Sequence, residues 1–251
     1  MKRLGIVFVA MAIVSILLPA GAFAQDANPI IFAIYYRCNQ AKEARADEIY
    51  RQIVAPVAQK HVDLGHLTAS LWLSHNQGGP WRRIWALLGT DMNQMMDMRA
   101  AIEEELGTKN AAELNELEEA CSSHDDYIWT GIAGSPTTNA GAVGNASISV
   151  YHSCDMSREA RADEIFSQVL APLYKKHTDM GHLTSWGYYS HRMGGIYRRL
   201  ETMSGADHKT LLSMQNAIYQ EASEKNALAL AEFQSICSWH SDYMWENASQ
   251  P

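Results

Sequence analysis

The sequence has little cysteine and little proline, and it lacks the strings that mark the common enzyme classes. Of its 251 residues, four are cysteine and seven are proline. It contains no phosphate-binding loop, dinucleotide fingerprint, HExxH string or Ser-His-Asp order. It also contains no CxxCH string for covalent haem attachment. The sequence therefore does not fall into a motif-defined class of enzyme.

Basic residues are also scarce. Lysine and arginine number 20 against 28 aspartate and glutamate residues, which gives a formal net charge of −8. An acidic chain with scattered basic residues repels polyanions, so we expect neither nucleic acid nor anionic lipid as its main partner. The charge does not choose between a small-molecule ligand and a protein partner.

Only one apolar run is long enough to suggest targeting, at Leu4–Leu18. It follows the basic pair Lys2 and Arg3 and precedes Ala22-Phe23-Ala24, a small-x-small cleavage pattern. This order predicts a signal peptide over residues 1–24, with an uncleaved membrane anchor as the alternative. We therefore expect a soluble mature protein that is periplasmic or secreted.

The rest of the chain consists of two copies of one sequence unit. Sliding the sequence against itself by 116 residues aligns Tyr35–Trp129 with Tyr151–Trp245 without a gap, and 42 of the 95 pairs are identical. This period is too long for a solenoid and suits a duplicated small domain. We predict repeat 1 over residues 25–129, a flexible linker rich in glycine, alanine, serine and threonine over 130–145, and repeat 2 over 146–251.

Each copy predicts the same order of elements, β-α-β-β-α with an extra C-terminal helix. Pro56 and its counterpart Pro172 should kink or divide the first helix, because proline cannot donate a backbone hydrogen bond. In the first copy the predicted elements are a strand over 30–36, a helix over 42–64, a hairpin over 68–87 with its loop at 76–80, a helix over 92–106 and a last helix over 111–129.

The element order and the string APVAQKH…GHLT…SH…GGPWRR resemble the dimeric α+β barrel superfamily, and within it NIPSNAP-like proteins. Members are ferredoxin-like units whose antiparallel sheets pair face to face into a barrel. The resemblance implies an α+β protein whose two tandem ferredoxin-like repeats pair as a pseudo-dimer in one chain. Two independent α+β sandwiches are the alternative; pairing is favoured because so small a unit buries little surface alone.

The four cysteines are divided evenly between the copies. Cys38 and Cys121 are 83 residues apart, and so are Cys154 and Cys237. An even count in an exported chain predicts one disulfide in each repeat, from the end of the first strand to the last helix. A cross-repeat pairing stays open, and so does a metal site that uses the Cys121–His124 spacing. We predict no metal, because an oxidising compartment disfavours free thiolate ligands.

Polar and aromatic residues around the hairpin, most of them identical in the two copies, are the candidates for a ligand site. One histidine lies at a strand end beside the hairpin loop, and another follows the helix-stopping glycine. An arginine pair begins the returning strand, so one arginine of each pair should face inward. There it would either pair with a retained acid such as Asp47 or anchor an anionic ligand. The candidate ligand-binding residues are His66, His75, Trp81, Arg82 and Arg83, with their counterparts His182, His191, Tyr197, Arg198 and Arg199.

These features favour a binding or assembly protein over an enzyme, because polar residues are retained without a catalytic string. The partner would be a small molecule or an envelope protein. The resemblance implies a second hypothesis, since the superfamily includes haem-dependent and cofactor-free monooxygenases and isomerases. In a haem enzyme, one of His66, His75, His182 and His191 would be the axial ligand, with an arginine nearby. The sequence assigns no catalytic residue.

Overall fold

The computed structural model describes residues 28–135 and 144–249. Repeat 1 consists of β1 (Ile30–Arg37), α1 (Glu43–Ile49), α2 (Ala55–Asp63), β2 (Ala69–Gln77), β3 (Arg83–Gly89), α3 (Met92–Lys109), α4 (Ala111–Ala120) and β4 (Ser123–Gly134). Repeat 2 consists of β5 (Ala146–Ser153), α5 (Glu159–Ile165), α6 (Ala171–Asp179), β6 (Ser185–Met193), β7 (Arg199–Gly205), α7 (His208–Ile236) and β8 (Trp239–Asn247). No helix in these ranges is long and apolar enough to cross a membrane.

The eight strands form one closed antiparallel barrel in the order β1-β3-β2-β8-β5-β7-β6-β4. Each repeat supplies four neighbouring strands. The seams are β2 with β8 and β4 with β6, so each seam joins a strand of one repeat to a strand of the other. The predicted pairing of the repeats into a barrel is therefore confirmed, and the alternative of two independent sandwiches is wrong.

The last helix predicted over residues 111–129 is wrong beyond Ala120. There α4 ends, and the chain continues as β4, which pairs along the whole of β1. The counterpart β8 pairs with β5 in the same way. Tyr127 and Trp129 have the aromatic side chains that strands favour, and their spacing places both in the barrel interior. Each unit is thus β-α-β-β-α-β, and the extra helix precedes the last strand.

The prolines divide the first helix, as predicted. In repeat 1 a π-helical turn, Tyr50–Val54, separates α1 from α2, and Pro56 lies in the first turn of α2. Phe166–Leu170 and Pro172 have the same arrangement in repeat 2. Because proline has no backbone N–H, the carbonyl one turn earlier loses its partner, and the wider turn accommodates this loss.

Both disulfides form within repeats, between Cys38 and Cys121 and between Cys154 and Cys237. Each joins the chain just after the first strand to the residue that ends the extra helix. In the segment predicted as a linker, β4 continues to Gly134 and pairs with β6. Residues 136–143 of that segment lie outside the described residues, and so does the predicted signal peptide.

Successive strand residues face opposite sides of the barrel wall, which gives two places where a ligand could bind. Outside the barrel, each half of the sheet is covered by the helices of its own repeat, with a separate hydrophobic core. Inside, packed rings fill one end of the barrel; they belong to Tyr35, Trp81, Tyr127, Trp129, Tyr151, Tyr197, Tyr243 and Trp245.

Candidate functional site

The second arginine of each pair binds an acid of the first helix. Arg83 is 4% exposed and donates from Nε and Nη2 to the two carboxylate oxygens of Asp47, at 2.6 and 2.7 Å. Arg199 holds Asp163 at the same two distances. This fork geometry satisfies both the guanidinium and the carboxylate. These donors are therefore taken up by acids that both copies retain.

The first arginine of each pair bridges an acid and the strand histidine. Arg82 Nε donates to Glu43 at 2.6 Å, and Arg82 Nη1 lies 2.6 Å from His75 Nδ1. Burial and the arginine charge lower the pKa of His75. The second repeat has the same contacts and the same pKa shift, formed by Glu159, His191 and Arg198. We call these residues, together with Arg83, Asp47, Arg199 and Asp163, the arginine clusters.

His66 and His182 lie at helix ends. His66 Nδ1 is 3.4 Å from Nδ1 of His61, and His182 Nδ1 is 3.0 Å from Nδ1 of His177. Each pair sits where the second helix of its repeat ends, and His61 and His177 are buried. Burial, followed by the neighbouring histidine, lowers the pKa of His61 and His177. These pairs do not meet the arginine clusters.

Trp81 and Tyr197 belong to the aromatic end of the barrel. The Trp81 ring stacks on Tyr35 with centroids 4.3 Å apart, and its Nε1 donates to Asp125 at 2.7 Å. Tyr197 donates to Ser241 at 3.0 Å. The ten residues proposed from the sequence thus occupy separate places, namely helix ends, arginine clusters and a packed aromatic core, and do not line one common cavity.

A pocket of about 280 Å³ lies between α7 and the outer face of the repeat 2 sheet, and we call it the second-repeat pocket. Its polar lining includes His152, Gln215, Asn216, Tyr219, Gln234 and His240. His240 stands at the rim, where its Nδ1 lies 2.8 Å from the Asp242 carboxylate. The pocket therefore offers imidazole and amide groups on a part of the molecule that the sequence did not single out.

A buried carboxylate, Glu201, lies behind this lining on β7 and is 1% exposed. Burial of a charged carboxylate is costly unless hydrogen bonds or charges compensate it. Tyr174 and Tyr219 both donate to it, Tyr219 at 2.9 Å. Burial, followed by the Glu201 charge, raises the pKa of both tyrosines well above 10, so they keep their protons and remain donors.

His152 completes the set from the neighbouring strand β5. It is 4% exposed, and its Nε2 lies 3.5 Å from Glu201 Oε2, within ion-pair distance. Among the described residues, neither ring nitrogen has a hydrogen-bond partner. An imidazole beside a carboxylate at a pocket wall can take up or release a proton. We call His152, Tyr174, Glu201 and Tyr219 the acid–base cluster.

The equivalent pocket of repeat 1 has a volume of about 320 Å³ and a different chemistry. At the four positions of the acid–base cluster, repeat 1 carries Tyr36, Ala58, Trp85 and Glu103. Glu103 pairs with Arg99 at 2.7 Å and is half exposed, whereas its counterpart Tyr219 is half-buried and donates to Glu201. The two copies therefore agree at the arginine clusters and differ at this pocket.

No group of three or more histidine, cysteine, aspartate or glutamate side chains in residues 28–135 and 144–249 is arranged to hold a metal ion. No protein-family model matches the sequence. No curated protein matches it either.

Solved structures share the architecture. An anthrone oxidase-like protein aligns with a TM-score of 0.53 and 9% identity, over 90% of this chain and 95% of that chain. A proposed monooxygenase from Lactobacillus acidophilus aligns with a TM-score of 0.52 and 4% identity, over 88% of this chain and 94% of that chain. A mutant chlorite dismutase from Candidatus Nitrospira defluvii, in complex with cyanide, aligns with a TM-score of 0.51 and 10% identity, over 90% of this chain and 92% of that chain.

The chain has the dimeric α+β barrel fold. At these identities the likeness shows the fold alone, and it confirms the resemblance to the dimeric α+β barrel superfamily at that level. A NIPSNAP family protein from Agrobacterium tumefaciens also matches, with 20% identity and a TM-score of 0.29, over 40% of this chain and 82% of that chain. That match spans too little of the barrel to support anything narrower.

The sequence does not point to the acid–base cluster, because none of its four residues is shared by the two copies. The replacement of Trp85 by Glu201 was visible as a divergence between the copies and nothing more. A useful signal was available: an acid at a strand position where the other copy has a large apolar side chain. Such a position faces the helices, so its carboxylate must find buried partners.

Proposed function

We propose that the protein is an enzyme that moves a proton on a small organic molecule bound in the second-repeat pocket. His152 is the acid–base residue, and Glu201 stabilises the charged imidazole. Tyr174 and Tyr219 are positioning residues that hold Glu201. The observation that carries the proposal is a buried imidazole 3.5 Å from a buried carboxylate at the wall of a pocket.

The chemistry follows from the partners of each group. A substrate O–H or activated C–H bond gives its proton to His152, and the electron pair stays on the substrate as an enolate or phenolate. The imidazolium that forms faces Glu201, which stabilises it as the buried carboxylate of a catalytic triad stabilises its histidine. The amides of Gln215 and Asn216 can donate to the substrate oxygen as its negative charge grows. This set favours an enolisable ketone or a phenol.

The names of two proteins with the same fold are compatible with the proposed substrate class, since anthrone is an enolisable ketone. One is called anthrone oxidase-like and another is a proposed monooxygenase. The binding role expected from the sequence would use the same pocket, but it would not require a buried acid–base cluster. Disulfides form in oxidising compartments, so we place the protein in the periplasm or outside the cell.

Haem is the cofactor that the resemblance implies, and the residues fit it only in part. His75 and His191 are each bonded to an arginine, and their rings face packed aromatic residues. His152 would be the residue to hold an iron from the pocket wall, but neither of its ring nitrogens has a hydrogen-bond partner, whereas a metal-bound histidine normally donates its second ring N–H to one. The pocket volume, about 280 Å³, is at the lower end of the usual range of about 300–1,000 Å³ for ligand sites and is small for a macrocycle. We therefore assign no step to haem.

Hydrogen–deuterium exchange tests the proposal without requiring the complete reaction. The full chain, with its disulfides intact, is mixed with anthrone or a smaller enolisable aryl ketone in D2O, and loss of the acidic C–H signal is followed by NMR. We expect exchange above the buffer rate. His152→Tyr, which installs the repeat 1 residue, should lower the catalysed rate by about 10²-fold or more.

Tyr36→Phe is the matched control, because it alters the repeat 1 pocket and should leave the rate unchanged. Equal exchange in the parent protein and in His152→Tyr would refute the role of the histidine. A Soret band on haemin titration that disappears in His152→Tyr would move the assignment to haem.

A further inference from the structure

The barrel interior contains a cavity of about 110 Å³ beyond its aromatic end, and the proposed reaction does not use it. The cavity and the second-repeat pocket lie on opposite faces of the sheet and share strand β5. Ser149 and Thr202 face the cavity, whereas their neighbours Val150 and Glu201 face the helices. The cavity opens to solvent at an edge formed by partly exposed residues, among them Ser185.

The two walls of this barrel cavity differ in chemistry. The repeat 1 wall includes Ile31, Ala33, Leu71, Ala86 and Leu88. The repeat 2 wall includes Ser147, Ser149, Ser185, Thr202 and Ser204. Four of these positions are direct exchanges between the copies: Ile31 for Ser147, Ala33 for Ser149, Ala86 for Thr202 and Leu88 for Ser204. One wall is therefore apolar and the other carries hydroxyl groups.

The strand register groups these hydroxyls into two rows. Ser204 on β7 lies opposite Ser147 on β5 and opposite Ser185 on β6, so three serines stand side by side. Ser149 lies opposite Thr202 in the next inward row. Directly opposed residues in antiparallel strands are about 4.5–5.5 Å apart, so one ligand edge can reach several hydroxyls of a row. The Thr202 hydroxyl donates to the Gly187 carbonyl at 3.4 Å, so the serine hydroxyls are the groups that the edge of a ligand would meet first.

We propose that the barrel cavity binds a small uncharged molecule with one apolar face and one hydrogen-bonding edge, about the size of a phenol. An engineered apolar cavity of about 150 Å³ holds benzene, so a volume of this order suits one ring. The lining contains no acidic or basic side chain, and burial of an unpaired charge would be costly. The apolar wall packs against the ring, and the serine rows bond its hydroxyl group.

The test compares three matched probes on the full chain by calorimetry and ligand-observed NMR: phenol, benzene and benzoate. We expect phenol to bind, benzene to bind about tenfold more weakly because it leaves hydroxyls unbonded, and benzoate not to bind. Ser204→Leu installs the repeat 1 side chain, fills the space and should abolish binding. Ser149→Ala leaves the space open and should weaken phenol binding several-fold with little effect on benzene binding.

Ser190→Ala is the control, because Ser190 lies on β6 but bonds the Thr130 carbonyl and does not line the cavity. It should bind phenol as the parent protein does. Binding that survives Ser204→Leu in a folded protein, or equal affinity for phenol and benzene, would overturn the proposal. So would the absence of phenol binding at millimolar concentration. None of these outcomes depends on His152 or Glu201, so the proposed function can fail independently.

Discussion

His152 Nε2 lies 3.5 Å from Glu201 Oε2 in the second repeat, at the positions where the first repeat carries Tyr36 and Trp85. In this duplicated chain, the side chains suited to acid–base chemistry lie at positions where the two copies differ. The arginines, acids and glycines that both copies retain hold the helices and hairpins on the barrel. Under the proposed function, the second repeat carries the reaction and the first repeat completes the barrel.

The Arg83–Asp47 pair should act as a structural unit. Arg83→Ala leaves the Asp47 carboxylate largely buried without its main partner, and we expect a loss of about 3–5 kcal/mol of unfolding free energy. Adding Asp47→Ala should cost much less than the sum of the single changes, because no unpaired charge then remains. Urea denaturation of the four proteins measures this coupling. Strict additivity would mean that the pair is not coupled.

Protonation of His75 and His191 should destabilise the fold. Their pKa values are lowered by burial and by the adjacent arginines, while an unfolded histidine titrates near about pH 6.5. The unfolded chain therefore binds protons first as the pH falls. The stabilisation is complete above about pH 6.5 and is lost as the pH falls from there through the lowered folded pKa values.

Asparagine at both positions keeps an acceptor for the arginine and does not titrate. We expect the variant His75→Asn with His191→Asn to lose less unfolding free energy than the parent protein between about pH 7.5 and pH 5.5. Urea denaturation at several pH values gives the two slopes. Identical slopes would show that these histidines do not contribute.

The glycine pair of each hairpin should be required for contact between the repeats. Gly78 has a φ of +125°, and a Cβ there would lie 2.5 Å from the carbonyl oxygen of Asp242 in the other repeat. We expect Gly78→Ala to cost about 1–3 kcal/mol or more. Gly107→Ala is the control, since nothing lies within 4 Å of its Cβ position in α3. That change should be neutral or stabilising by up to about 1 kcal/mol. Similar thermal shifts for the two variants would contradict the contact.

Each disulfide should stabilise its own repeat. A closed loop of this length, with a sequence separation of 83 between the cysteines, is worth about 4 kcal/mol in the chain-entropy model. We expect Cys38→Ala with Cys121→Ala, and separately Cys154→Ala with Cys237→Ala, to lower the free energy of unfolding by about 2–5 kcal/mol. Denaturation midpoints that do not change would show that the extra helices need no covalent link.

The sequence predicted the duplication and the disulfides from spacing, and it predicted the barrel from the resemblance of its element order and hairpin string to the dimeric α+β barrel superfamily. It did not predict β4 and β8. The helix before each of these strands, α4 in repeat 1 and the part of α7 after its kink at Asn226 in repeat 2, obscured the change from a helical pattern to alternation. Strand pairing also decides the outcome, since β4 lies between β1 and β6 and the barrel cannot close without it.

The candidate site was less predictable than the fold. Shared residues such as Arg83 and His75 are prominent in the alignment of the copies. Their contacts in the structure are ion pairs and hydrogen bonds that hold the fold together. Glu201 lies on β7, and its partners Tyr174 and Tyr219 come from the helices α6 and α7. No sequence spacing connects the three residues. Only the fold shows that their side chains meet.

The most direct test of the account compares two variants in the deuterium-exchange assay on an enolisable ketone. One is Glu201→Gln, at a position where the copies differ; the other is His75→Asn with His191→Asn, at positions that the copies share. The account predicts a loss of about tenfold or more for Glu201→Gln and a rate within about twofold of the parent for the histidine pair. An unchanged rate in Glu201→Gln, with a large loss in the histidine pair, would contradict it.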